Sequence, residues 1–298
     1  MRRMSKLKGV FAALITVGMG LSVQAQGSYG EDDGGAARIN IAGKTRALSQ
    51  RIPAVTCMLV YSNDPETMRP YLAKAIGKFD KIITALRDGN PDMKIMGAEK
   101  KRRILQQLDA LSTMWEPFRA AAKNIEAGEK TEESTAFIAE NNMALLTQAK
   151  LLVAEVAAEY ANPVEITKAE EQLINFSGRQ RMLTQKIAKE SCGVVTGNEA
   201  FGHIDDFNKT VSLYELTLQA LRDGMPAVGV SPPPTEQIKG SLEKALGDWQ
   251  EIKDILSKVT GKDSVDSDTI KHLFDQLETK RQTMNKITGL YAEYAKTH

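Results

Sequence analysis

The stretch "INIAGKTRALSQRI", residues 39–52, returns as "INFSGRQRMLTQKI" at residues 174–187, with seven identical positions and most of the rest conserving size or charge. A fourteen-residue helix written twice decides the fold, because a fixed offset marks a duplicated structural unit. At an offset of 135 Cys57 also falls on Cys192, and "LRDG" at 86–89 falls on "LRDG" at 221–224. At 134, Trp115 falls on Trp249 and "AEYA" at 158–161 on "AEYA" at 292–295. The copies therefore occupy residues 38–162 and 173–298, with a linker and helix start at 163–172.

Within each copy apolar residues recur every three or four positions and no alternating run is long enough for a strand. Gly89 and Gly224 follow apolar-periodic segments, where a left-handed residue ends a helix. Asn90-Pro91 and "SPPP" at 231–234 then interrupt the chain, and Gly128 and Gly261 mark the next break. Thr131 in the first copy and Ser267 or Asp266 in the second open a fourth helix, while Thr167 with Glu170 forms a capping box at the join. Four helices in roughly 125 residues give an antiparallel bundle. The predicted fold is all-α, two tandem four-helix bundles related by an internal repeat.

The chain opens on "MRRMSKLK" and the apolar run "GVFAALITVGMGLSV", which reads as a signal peptide over residues 1–25. Its removal takes four positive charges from a chain of net charge +1, so nothing favours nucleic acid as a partner. Residues 26–37, Gly- and Asp-rich, read as a disordered leader. No later segment has the apolar length of a membrane span, so the expected location is periplasmic.

On the repeated helix Ile41, Leu48, Ile52, Val55 and Leu59 form the stripe that packs into its own bundle. The opposite side carries Ala42, Gly43, Arg46, Gln50, Pro53, Ala54 and Cys57, and its twin carries Ser177, Gly178, Arg181, Gln185, Ala188 and Cys192. Small residues let backbones approach, so this face predicts a second interface, with the twin helix as partner about a local two-fold axis. Arg46 then meets Arg181, a repulsion of roughly 3 kcal/mol at an effective dielectric of ~20 and ~5 Å. Neither motif holds an Asp or Glu, and the donor fork of Arg matches a planar oxyanion. Arg46 and Arg181 are the candidate ligands of a small anion, with Ser49, Gln50, Thr184 and Gln185 as neighbouring donors. Pairing of both arginines with acids on other helices is the competing reading. Lys44, Arg51, Arg179 and Lys186 lie off this face and are expected to be solvated.

"GKTRALSQR" and "GRQRMLTQK" resemble the first-helix signature of the PilJ-type N-terminal sensor domain of type IV pilus methyl-accepting chemotaxis transducers. They are also similar to the periplasmic signature of nitrate/nitrite sensor kinases, a Gly, two residues, then the anion-binding Arg. By position the resemblance carries that role to Arg46 and Arg181. It implies a four-helix sensor domain that dimerises around the anion, which a tandem copy would reproduce within one chain. With no transmembrane, kinase or methyl-accepting region in view, a signal would pass in trans, to a membrane-bound receptor or a pilus or envelope protein. A ligand-free module docking on such a partner is the alternative.

Cys57 and Cys192, the only cysteines, each lie eleven residues past their Arg, about 20° around the helix, and so share the interface face. Either a disulfide across the two-fold axis or two buried thiols fits that placement. Pro53, against Ala188, is expected to kink the first helix. Trp115, Trp249, Tyr160 and Tyr294 read as core, and His203, His272 and His298 lack metal-ligand spacing. There is no phosphate loop, HExxH or nucleophile elbow, so neither cofactor nor metal is implied and an enzyme is the least favoured class.

Overall fold

Every described α1 residue from Gly35 to Leu59, save Asn40 and Lys44, is buried, a pattern that only a helix surrounded on all sides produces. In the computed structural model, which describes residues 34–61, 65–129, 131–161, 166–261 and 265–297, α1 (Gly35–Tyr61) packs on its twin α5 (Lys168–Thr196). The first copy continues with α2 (Pro65–Asp88), α3 (Arg102–Ala127) and α4 (Thr131–Tyr160), which close a ring in which α1 touches α2 and α4. In the second copy α6 (Ile204–Asp223), α7 (Glu236–Gln250), α8 (Lys253–Thr260) and α9 (Ser267–Thr297) do the same around α5. The chain is all-α, built of helical bundles; among the described residues the only β pairing is two isolated bridges, Asn90 with Ile95 and Met225 with Val230.

The helix ends follow from their capping chemistry. Gly89 and Gly128 terminate α2 and α3 with φ of 85° and 79°, which a side chain would strain. Thr167 and Glu170 form the reciprocal capping box at the start of α5, and Asp266 accepts from the Thr269 N–H before α9. A 3-10 turn follows each second helix, Pro91–Met93 and Pro226–Val228. The duplication reaches polar detail: Trp115 donates to Asp80 at 2.6 Å and Trp249 to Glu215 at 2.7 Å, each indole lying on an equivalent ring, Phe79 or Tyr214.

Four particulars depart from the sequence reading. The third helix of the second copy is two helices, α7 and α8, parted at Glu251 and Ile252. Helix α1 begins at Gly35, inside the segment whose composition reads as a leader. Lys44 and Lys186 are half-buried rather than solvated. Finally, Arg51 is buried rather than solvated, because α9 covers that side of α1 and supplies Glu278 as its partner. The expected signal peptide, residues 1–25, and leader residues 26–33 lie outside the described residues.

The two rings are fused through their first helices. One hydrophobic cluster runs from Ile39 and Val55 of α1 through Leu183 and Ile187 of α5 to Leu277 and Tyr291 of α9, so both copies share a core. Cys57 and Cys192 are joined by a disulfide with their Cα atoms 6.3 Å apart. No helix among the described residues is long and apolar enough to cross a membrane.

Candidate functional site

Gly43 and Gly178 explain how two guanidinium groups fit between packed helices. A β-carbon added to Gly43 would stand 2.9 Å from Arg181 Nη2 and 3.4 Å from Arg46 Nη2. On Gly178 it would stand 3.0 and 3.4 Å from the same two atoms. Both arginines therefore converge on the space that the missing side chains leave open. Arg46 and Arg181 are 5% and 1% exposed, so the charges are withheld from water.

Their hydrogen bonds cross the two-fold axis reciprocally. Arg46 Nη1 donates to Asn175 Oδ1 at 2.8 Å, and Arg181 Nη1 donates to the equivalent Asn40 Oδ1 at 2.7 Å. Nη2 of each arginine donates to the main-chain carbonyl of the same asparagine, at 3.4 and 3.1 Å. The half-sites then diverge. Arg181 also donates to Asn285 of α9 at 3.1 Å. Asn175 passes on to the buried Glu171 through its side-chain amide, whereas the matching position in the first copy is Ala36.

Among the described residues neither arginine forms an ion pair with a carboxylate, and Arg46 Nε is buried without a partner. Burial, and after it the neighbouring Arg179, pulls Arg46 down to about 9; burial, then Arg46 and Arg281, does the same to Arg181. Both values stay above neutrality, so the pair remains charged and poorly solvated. Neutral amide oxygens offset part of that cost; an anion would offset more.

The remaining sequence candidates lie beside the arginines in different states. Gln50 and Gln185 are fully buried one turn on, with Gln50 Oε1 and Gln185 Nε2 unpaired. Ser49 Oγ donates to the Arg46 carbonyl at 2.8 Å and Thr184 Oγ1 to the Arg181 carbonyl at 2.9 Å. Those hydroxyl protons are therefore engaged within their own helices rather than turned to the arginines. Cys57 and Cys192 fasten the two helices three turns further along.

Sequence reasoning passed over Asn40, Asn175 and Asn285. The first two carried a signal, since Asn is one of the identical positions of the repeat and precedes each Arg by six residues. Asn285 carried none, because its place is set by α9 and has no Asn counterpart in the first copy.

No curated protein matches the chain. A family model does, twice, over residues 31–140 and 166–271, so that the first match takes in α1 to α3 and the start of α4, and the second α5 to α8 and the start of α9. Together these segments cover well over half of the chain, and the two matches coincide with the two rings that place Arg46 and Arg181 face to face. The protein accordingly belongs to the sensory family PilJ, the N-terminal part of type IV pili methyl-accepting chemotaxis transducers, and carries that domain in tandem.

Proposed function

We propose that the chain is a periplasmic sensing module that binds a small planar oxyanion, nitrate or nitrite, between α1 and α5. It passes the signal in trans to a membrane-bound receptor or a pilus or envelope component. The observation that carries this reading is the pair of buried arginines that, among the described residues, form no carboxylate ion pair and converge on two glycines. Arg46 and Arg181 hold the anion, the unpaired Arg46 Nε and Gln185 Nε2 offer further donors, and Gln50 contributes only if its Nε2 leaves the Ser49 and Asn142 carbonyls. Ser49 and Thr184 contribute only if their hydroxyls leave the helix carbonyls. The disulfide supports export to an oxidising compartment, in keeping with an N-terminal signal peptide.

Calorimetric titration of the purified protein with nitrate, nitrite and sulfate tests the reading. Nitrate or nitrite should bind, and Arg46→Ala or Arg181→Ala should weaken that binding by at least about 100-fold, the loss of two charge-assisted hydrogen bonds at ~1.4 kcal/mol each. Absence of heat and of thermal shift with all three anions would leave no small-oxyanion site.

A further inference from the structure

Arg181 also borders a cavity of about 480 Å3 lined by α1, α2, α5 and α9. Its charge is lopsided. Lys44 and Arg51 come from α1, Lys74 and Lys78 from α2, Arg181 from α5, and Arg281 with Glu278 from α9. Glu278, the one carboxylate, is already engaged: Arg51 donates to it, and Arg281 grips it through two bonds of 2.9 and 2.5 Å. The side chains of Lys44, Lys74 and Lys78 make no hydrogen bond or ion pair among the described residues. Leu48, Pro70 and Tyr71 give the remaining wall an apolar character.

The duplication echoes this cluster only in part, since Lys44, Arg51 and Lys74 answer to the basic Arg179, Lys186 and Lys209. At the offset of 135, Lys78 becomes Leu213 and Tyr71 becomes Asp206, so the second copy does not rebuild the same wall. Like charges gathered around one half-enclosed space repel, and they persist at low cost only where something negative comes to lie among them. At ~30 Å3 per water-sized group the space takes a molecule of up to about 16 non-hydrogen atoms, far more than nitrate fills.

We propose that this cavity is a second ligand site, for a small organic or inorganic polyanion carrying at least two carboxylate or phosphate groups. Lys44, Lys74 and Lys78 take the negative groups, Arg181 reaches the end nearest the helix pair, and Leu48 and Tyr71 cover the ligand's carbon skeleton. The site shares Arg181 with the oxyanion reading but needs neither Arg46 nor the glycines, so the two can fail separately. Burial, followed by Arg181, Lys78 and Arg281, lowers Lys44 to about 7, so occupancy by a polyanion draws a proton onto it near neutral pH.

Citrate and pyrophosphate serve as probes of the two chemistries, titrated into the whole protein beside nitrate. One of them should bind, with a heat that depends on the buffer's ionisation enthalpy because a proton is taken up. In Lys44→Met/Lys78→Met that affinity should fall at least about tenfold while nitrate binding stays unchanged. Lys78→Gln, at a half-buried position, should give the same direction if the double variant loses its fold. Failure of both probes to bind, or equal binding by the variants, overturns the proposal whatever nitrate does; failure of nitrate with citrate or pyrophosphate bound overturns only the oxyanion reading.

Discussion

At the scale of residues the molecule is governed by cations that have lost their water. Lys44 is held at about 7 and Lys189 at about 8, against 10.5 for a free lysine, with burial the first cause of each. In the unfolded chain both take up a proton below about pH 10.5, while the folded chain does so only nearer 7 or 8. The unfolded state thus binds more protons in between, and stability rises with pH across that window, by up to about 1 kcal/mol per pH unit for each group. The thermal midpoint should climb from pH 7 to pH 9, and Lys44→Met should raise it at pH 7 and flatten the climb. A midpoint that falls over this range, or a variant that keeps the full slope, would show that Lys44 is well solvated. Which cations would be buried was only partly legible. Arg46 and Arg181 stood out because each motif lacks an acid and each sits four residues from small neighbours. Arg51 did not, since its partner Glu278 is 227 residues away and nothing local announces it.

At the scale of elements the repeated helix shows why some features can be read and others cannot. Starts and stops are local chemistry, so Gly89, Gly128 and the Thr167 capping box were legible. The packing of α1 on α5 was legible too, from small residues on a face that a lone bundle would leave wet. The division of the last bundle's third segment into α7 and α8 was not, because no Pro or Gly stands at Glu251 or Ile252. Pro53 shows the opposite case, a residue that disfavours helix interiors yet is absorbed in one. Its ring removes a backbone donor, at a cost of ~3 kcal/mol, while the helix is kept by burial on every side. Ala188 occupies the same position in α5 at 2% exposure, so alanine is compatible with this packing. Pro53→Ala should therefore raise the unfolding free energy by about 1–2 kcal/mol, the helix gain less the contacts of the lost ring. A lower denaturation midpoint in urea would mean that the ring's packing outweighs the restored hydrogen bond.

At the scale of the molecule, duplication does two things that one bundle cannot. It supplies both halves of a two-fold site within one chain, so the arginines meet at any protein concentration, and it lets the halves diverge, as Asn285 and the Lys78 cavity do on one side only. The fused core means that the copies should unfold together, and the Cys57–Cys192 bond should strengthen that coupling because it closes a loop of 135 residues between the two central helices. Loop-closure entropy for a span of that length corresponds to about 5 kcal/mol, with measured values for disulfides commonly nearer 2–4. Cys57→Ala/Cys192→Ala should thus lose about 2–5 kcal/mol and melt on the order of 10 °C lower, at 2–4 °C per kcal/mol for a domain of this size. Dithiothreitol should lower the wild-type midpoint similarly and leave the double variant unchanged. Two alkylatable thiols in the unreduced exported protein, or a midpoint indifferent to the reductant, would show that shared apolar burial holds α1 against α5 without the covalent tie.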